Sequence, residues 1–206
     1  MVANQIMARG VKDKNVIGAM LKVERHLFVP AEFRSQSYGD FPLPIGEGQT
    51  ISQPYMVALM TELLDVSKSH KVLEIGTGSA YQAAILAELA GTVCTVERHE
   101  ILAVRAAELL ERLKFTNVTV ITGDGSMGYA KYAPYDRIMV TASAGELPMP
   151  LFEQLREGGK LLIPLGGKFS QGLTVIEKKN GKMRKETACG CVFVPLIGRH
   201  GHREEE

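Results

Sequence analysis

Four stretches carry the residue types best suited to chemistry: Glu74-Ile75-Gly76-Thr77-Gly78, Glu97, Gly123-Asp124-Gly125 and Ser52-Gln53-Pro54. Gly76 and Gly78 lack a Cβ, so the backbone there can approach a ligand, and a helix starting just beyond them offers unpaired N–H groups. A pyrophosphate-binding G-x-G-x-x-G needs a third glycine at position 81, where Tyr81 stands, which argues against a dinucleotide. Glu97 follows Gly78 by 19 residues. That is close to the spacing of ~20 at which a carboxylate meets a ribose diol, whose two hydroxyls can both donate to it. Asp124, between two glycines, can accept from an adenine amino group while the purine lies against backbone. Each stretch alone has a plainer reading, as a solvated strand-end glutamate or an Asp-Gly turn.

The elements around them strengthen the chemical reading. From Lys71 onward short apolar strands alternate with helices. Strands are predicted at 72–75, 92–96, 118–122, 137–141 and 160–165, with helices up to about 90, over 100–114 and around Leu151, Phe152 and Leu155. This alternation implies right-handed βαβ units, hence an α/β fold of the Rossmann-like kind with a mostly parallel, doubly wound sheet. Segments 173–179 and 183–196 flank Asn180-Gly181, the strongest short hairpin signal, so the sheet closes with antiparallel strands. The glycine turn, Glu97 and Asp124 then lie at the C-terminal ends of three successive strands, where open α/β sheets bind ligands. They describe an adenosine pocket with no phosphate grip, which suits S-adenosylmethionine. Glu74 would face its methionine end.

The N-terminal third differs. Ile6, Val16, Ile17, Met20, Leu21 and Val23 fall at helical spacing over 4–23, with Gly10 dividing two short helices and Asp13 placed as an N-cap. Residues 38–48 hold two prolines and three glycines and read as an irregular, unusually apolar loop. A helix is predicted to start at Ser52-Gln53-Pro54 and run through Leu64, proline being at home in the first turn. Ser52 can cap this helix, or offer its hydroxyl to a substrate, or do both.

Composition narrows the classes further. The chain has 206 residues, 45% hydrophobic and 23% charged, enough for one α/β domain with a sizeable core. A formal net charge of +1 and no run of five basic residues speak against a nucleic-acid partner. No 18-residue apolar run or signal-peptide core appears, so no membrane partner is expected. Three cysteines, Cys94, Cys189 and Cys191, cannot all pair, which fits a reducing cytoplasm. No metal site is expected: Cys189-x-Cys191 lacks further ligands, and His200, His202 and Glu204–Glu206 read as a solvated tail. No Ser-His-Asp order or nucleophile elbow appears, and His26 beside Arg25 reads as a local packing residue.

Several of these stretches are similar to signatures of the protein-L-isoaspartate O-methyltransferases. They are Ala19-Met20 with residues 23–30 (VERHLFVP), residues 42–54 (PLPIGEGQTISQP), Gly123-Asp124-Gly125 with Gly128-Tyr129 and Ala133-Pro134-Tyr135-Asp136, and Phe193-Val194-Pro195-Leu196. The likeness spans nearly the whole chain, and the Gln49–Pro54 stretch is its most specific part. It implies a single class I methyltransferase domain over 1–206, with N-terminal helices and a covering loop in 1–70 and the Rossmann-like core and C-terminal hairpin in 71–206. By resemblance, Thr50, Ile51, Ser52, Glu74, Gly76, Thr77, Gly78, Ser79, Glu97, Asp124, Gly125 and Thr141 contact S-adenosylmethionine. Ser52 is the catalytic residue, and it binds substrate together with Val194, Pro195 and Leu196. The partners implied are isoaspartyl-containing proteins and peptides, methylated by a cytoplasmic monomer.

The attacking carboxylate, with a pKa near 4, is ionised at neutral pH, so this chemistry needs no general base. Ala80 stands where the family usually has glycine, Glu24 where it has proline, and Val192 where arginine is frequent. If position 80 requires a positive φ, the alanine strains the turn. Two rivals remain. A class I methyltransferase for another carboxylate or small molecule would lack the Gln49–Pro54 stretch. A catalytically impaired adenosine-binding homologue, its activity lost through Ala80, is separated by cofactor titration.

Overall fold

The computed structural model describes residues 1–203; the acidic run Glu204–Glu206 lies outside the described residues. A turn of π-helix, Val2–Ile6, and a 3-10 turn, Met7–Arg9, end at Gly10 in the left-handed region. Helix α1, Lys14–Lys22, begins where Asp13 accepts from the N–H groups of Asn15 and Val16, as its sequence position predicts. Two 3-10 turns, Arg25–Phe28 and Ala31–Gln36, follow.

Residues 38–48 are not wholly irregular. They contain strand β1, Leu43–Gly46, paired antiparallel with β2, Gln49–Ile51. Glu47 and Gly48 turn between them at φ 52° and 67°. A two-residue turn with both φ positive suits a tight hairpin, and a two-stranded ribbon tolerates Pro44 as a central strand would not. Helix α2, Pro54–Leu64, is capped at Gln53 with no side-chain hydrogen bond, so Ser52 does not cap it.

The core follows. Strand β3, Lys71–Ile75, leads to α3, Tyr81–Leu89; β4, Thr92–Glu97, leads to α4, Glu100–Arg112; β5 is Val118–Thr122. Then come β6, Tyr135–Val140, α5, Met149–Gln154, β7, Leu155–Gly167, β8, Ser170–Lys179, and β9, Lys182–Cys191. The seven-stranded sheet runs β5-β4-β3-β6-β7-β8-β9, parallel through β7 and antiparallel thereafter. Asn180 and Gly181 turn the last hairpin at φ 54° and 69°.

Three expectations shift at the C-terminal end. Leu155 belongs to β7 rather than to the helix before it. The final strand stops at Cys191, five residues short of the predicted end at 196. Residues 196–202 are not a free tail: His202 N–H donates to the Leu196 carbonyl and His200 N–H to Ser126 Oγ. Helices α2 and α3 cover one sheet face with Met60, Leu64, Leu86 and Ala87, while Ile138, Val140, Leu151 and Leu161 pack the other. No helix among the described residues is long and apolar enough to cross a membrane.

Candidate active site

A cavity opens beside the β3–β6 boundary, where strand order reverses. That is the topological switch point at which such sheets take ligands. Its floor is made of strand ends tied by backbone. Gly76 N–H donates to Val96 O at 2.8 Å, Thr141 N–H to Ile75 O at 2.9 Å, and Gly123 N–H to Glu97 O at 2.8 Å. Thr141 Oγ1 also donates to the Ile75 and Gly76 carbonyls. Gly76, at φ 95°, leaves no room for a Cβ against the Thr141 hydroxyl.

Glu97, 5% exposed, sets the floor's charge. One carboxylate oxygen accepts from Gly78 N–H at 2.8 Å and the other from His99 N–H at 3.0 Å. The remaining lone pairs can accept from a diol.

Two carboxyls stand elsewhere than expected. Glu74 lies beneath the glycine turn, wholly buried, and is not part of the cavity wall. It accepts from Thr95 Oγ1 at 2.5 Å, Thr95 in turn contacts Thr77 Oγ1 at 2.7 Å, and its second oxygen has no partner. Burial pushes its pKa up to about 8, so at neutral pH it does not offer the charge expected of it. Asp124 sits behind Gly125. One oxygen accepts from Ser126 N–H and Oγ at 2.9 and 2.7 Å, the other from Arg199 N–H at 2.8 Å. Burial opposes its ionisation, but the donors from Arg199 and Ser126 outweigh this and hold its pKa below the usual carboxylate range.

The cavity's other side is the cover. Thr50, Ile51 and Ser52 line it from β2 and the bend before α2, and Val194, Pro195 and Leu196 from the C-terminal segment. That segment is pinned to the loop after β6: Ser143 N–H donates to Val194 O and Leu196 N–H to Ser143 O, both at 2.8 Å. Gln171 accepts from Phe193 N–H at 2.8 Å. Thus Thr50, Ile51, Ser52, Gly76, Thr77, Gly78, Ser79, Glu97, Gly125, Thr141, Val194, Pro195 and Leu196 meet around one space, while Glu74 and Asp124 support it from outside. Sequence reasoning missed Tyr81, Gln82 and His99, which also line it. Tyr81 and Gln82 open the helix after the glycine turn and His99 follows the strand-end glutamate, positions that motif letters alone do not mark.

An open, mostly parallel sheet with a Cβ-free turn and a diol-ready carboxylate at its switch point, and no phosphate grip among the described residues, defines a class I S-adenosylmethionine-dependent methyltransferase. Comparison narrows this. The model of the family Protein-L-isoaspartate(D-aspartate) O-methyltransferase matches residues 1–201, and the chain belongs to that family. It is 56% identical over its whole length to Protein-L-isoaspartate O-methyltransferase 2 of Geotalea uraniireducens, covering 95% of that protein. It is 55% identical to the Geobacter metallireducens protein-L-isoaspartate O-methyltransferase, covering 96% of it. A crystal structure of a candidate protein-L-isoaspartate O-methyltransferase from Plasmodium falciparum, in complex with S-adenosyl-L-homocysteine, superposes with a TM-score of 0.83 at 30% identity. The match covers 95% of this chain and 96% of that one.

Proposed function

We propose that this chain binds S-adenosylmethionine with the ribose at Glu97 and the methionine end along Gly76, Thr77, Gly78 and Ser79. Thr141 completes the floor, and the adenine lies against Gly125 with Asp124 holding the wall behind it. The family's activity follows: transfer of a methyl group to the free α-carboxylate of L-isoaspartyl residues in proteins and peptides, leaving the methyl ester and S-adenosylhomocysteine. When bound, the cofactor supplies a methyl group on a sulfonium. Thr50, Ile51 and Ser52 cover that group and keep water from it. Ser52 donates its hydroxyl to the substrate carboxylate, and Val194, Pro195 and Leu196 align the peptide.

The carboxylate arrives ionised, so no residue has to remove a proton. Alignment and desolvation are what the protein contributes, and alignment alone is worth roughly 7–11 kcal/mol in well-oriented systems. The observation that carries this reading is Ser52 itself. Its hydroxyl is not spent on capping α2, and it shares one cavity with Glu97 and the 194–196 segment.

The proposal extends to one domain in which residues 1–70 cover a core of 71–206, acting as a cytoplasmic monomer without nucleic-acid or membrane partners. The near-neutral charge and three free thiols support it. Matched isoaspartyl and aspartyl peptides, followed by S-adenosylhomocysteine release, test the function. The expected result is turnover with the isoaspartyl peptide alone, because the extra backbone carbon of that linkage sets the register of the carboxylate. Equal turnover of the two peptides, or of neither, contradicts it.

A further inference from the structure

Arg25 is fully buried, 0% exposed, in the 3-10 turn after α1. Its Nε donates to the Ser37 carbonyl and its Nη2 to the Ser52 carbonyl, both at 2.7 Å. Its guanidinium lies 4.9 Å over the ring centroid of Tyr81, a residue of the cavity wall. Nη1 is buried without a partner, and no carboxylate among the described residues pairs with Arg25. The titratable groups facing it are Tyr81, whose pKa burial raises so that it stays a neutral phenol, and Tyr38, which is bonded to His26 Nδ1 at 2.7 Å. Burial lowers the Arg25 pKa to about 10, which leaves it a cation at neutral pH.

A buried cation with no counter-ion is costly, and carbonyl dipoles and a ring face offset only part of that cost. The chain keeps this cation directly behind the segment that carries the cavity hydroxyl. The Ser52 carbonyl stands outside the α2 ladder, whose first bond runs from Val57 N–H to Gln53 O, so Arg25 is its donor. Gln53 ties the same bend to the Asp40 carbonyl at 2.8 Å. An anion seated at Ser52 would face a cation that no carboxylate among the described residues compensates.

We propose that Arg25 is a positioning residue that makes the Ser52 bend a receptor for an anionic group: it fixes the Ser52 backbone and lends the pocket its preference for a carboxylate. The inference rests on the reading that Ser52 meets the substrate carboxylate. The test compares inhibition by a non-reactive isoaspartyl analogue peptide with that by its neutral α-carboxamide isostere, in wild type, Arg25→Gln and Arg25→Lys. KM, kcat, S-adenosylhomocysteine affinity and melting temperature are measured on the same samples.

Wild type should favour the carboxylate by about tenfold, the scale of one charge interaction at intermediate dielectric. Arg25→Gln should lose that preference and raise the peptide KM by a similar factor, with S-adenosylhomocysteine affinity within about twofold. Arg25→Lys should keep the preference, because it keeps the charge. Should Arg25→Gln fail to fold, loss of the preference in Arg25→Lys overturns the proposal. So does an Arg25→Gln enzyme that keeps both preference and KM while melting earlier, since a purely structural anchor would do that. Wild type inactive on isoaspartyl peptide would defeat the reading of the site instead.

Discussion

The cavity's floor and its cover are built by different means. The floor is backbone: the ends of β3, β4 and β6 are locked by main-chain hydrogen bonds, with Glu97 hung between two N–H groups. The cover is the end of β2 with the bend after it, held by the Arg25 side chain, and the 193–196 segment, held by the Gln171 side chain and by both main-chain and side-chain bonds to Ser143. Main-chain locks tolerate side-chain change, whereas side-chain anchors can be lost with one substitution. On the proposed reading the floor serves a constant cofactor and the cover meets the group that is methylated.

If the floor works as described, Glu97→Ala should give the largest change in cofactor binding, weakening S-adenosylmethionine affinity by about 1.5–3 kcal/mol, the cost of losing hydrogen bonds to a charged group. Calorimetry finding undiminished affinity would break the comparison at its base.

Glu74 sharpens it differently. Folding raises its pKa from 4.5 to about 8. Between those values the folded chain holds a proton that the unfolded chain has released, so the group's stabilising contribution is full below 4.5 and is lost as pH rises toward 8. The slope approaches about 1.4 kcal/mol per pH unit at its limit. Glu74→Gln should melt like wild type near pH 4.5 and above it near pH 8; parallel melting curves across that range would place Glu74's charge elsewhere. Asp124 has the opposite sign: its depressed pKa makes its contribution present above the ordinary carboxylate range and lost in acid. Asp124→Ala should cost about 1 kcal/mol of stability through Ser126 and Arg199, and lower cofactor affinity less than Glu97→Ala does.

How much of this was legible in the sequence follows the same division. Gly76, Gly78 and Glu97 were readable because each sits at a strand end within one short motif, and the β8–β9 turn because Asn180-Gly181 can take two positive φ values. The β1–β2 hairpin was not, since its prolines and glycines also spell a loop. The bond that ties Asp124 to Arg199 was not legible because the two lie 75 residues apart, and the anchoring by Arg25 was not because its two carbonyls lie 12 and 27 residues away. Long-range side-chain-to-backbone bonds leave no local pattern.

Position 80 gives the smallest expected effect. Ala80 is buried at φ 69° and ψ 3°, the left-handed region that costs a non-glycine residue about 1 kcal/mol. Ala80→Gly should raise stability by at most about that amount, offset in part by the greater freedom of the unfolded glycine, while holding or improving cofactor affinity. A clear loss of either would mean that packing around the methyl group outweighs the strain.

The division of labour between floor and cover is tested most directly by Ser52→Ala, with turnover on an isoaspartyl peptide, S-adenosylhomocysteine affinity and melting temperature measured on one preparation. Because Ser52 does not cap α2, stability should stay within about 0.5 kcal/mol of wild type. Cofactor affinity should be nearly unchanged, and turnover per folded molecule should fall by at least about tenfold, the loss of one hydrogen bond to a charged group. Unchanged turnover, or a loss of turnover matched by an equal loss of cofactor affinity, would contradict the account.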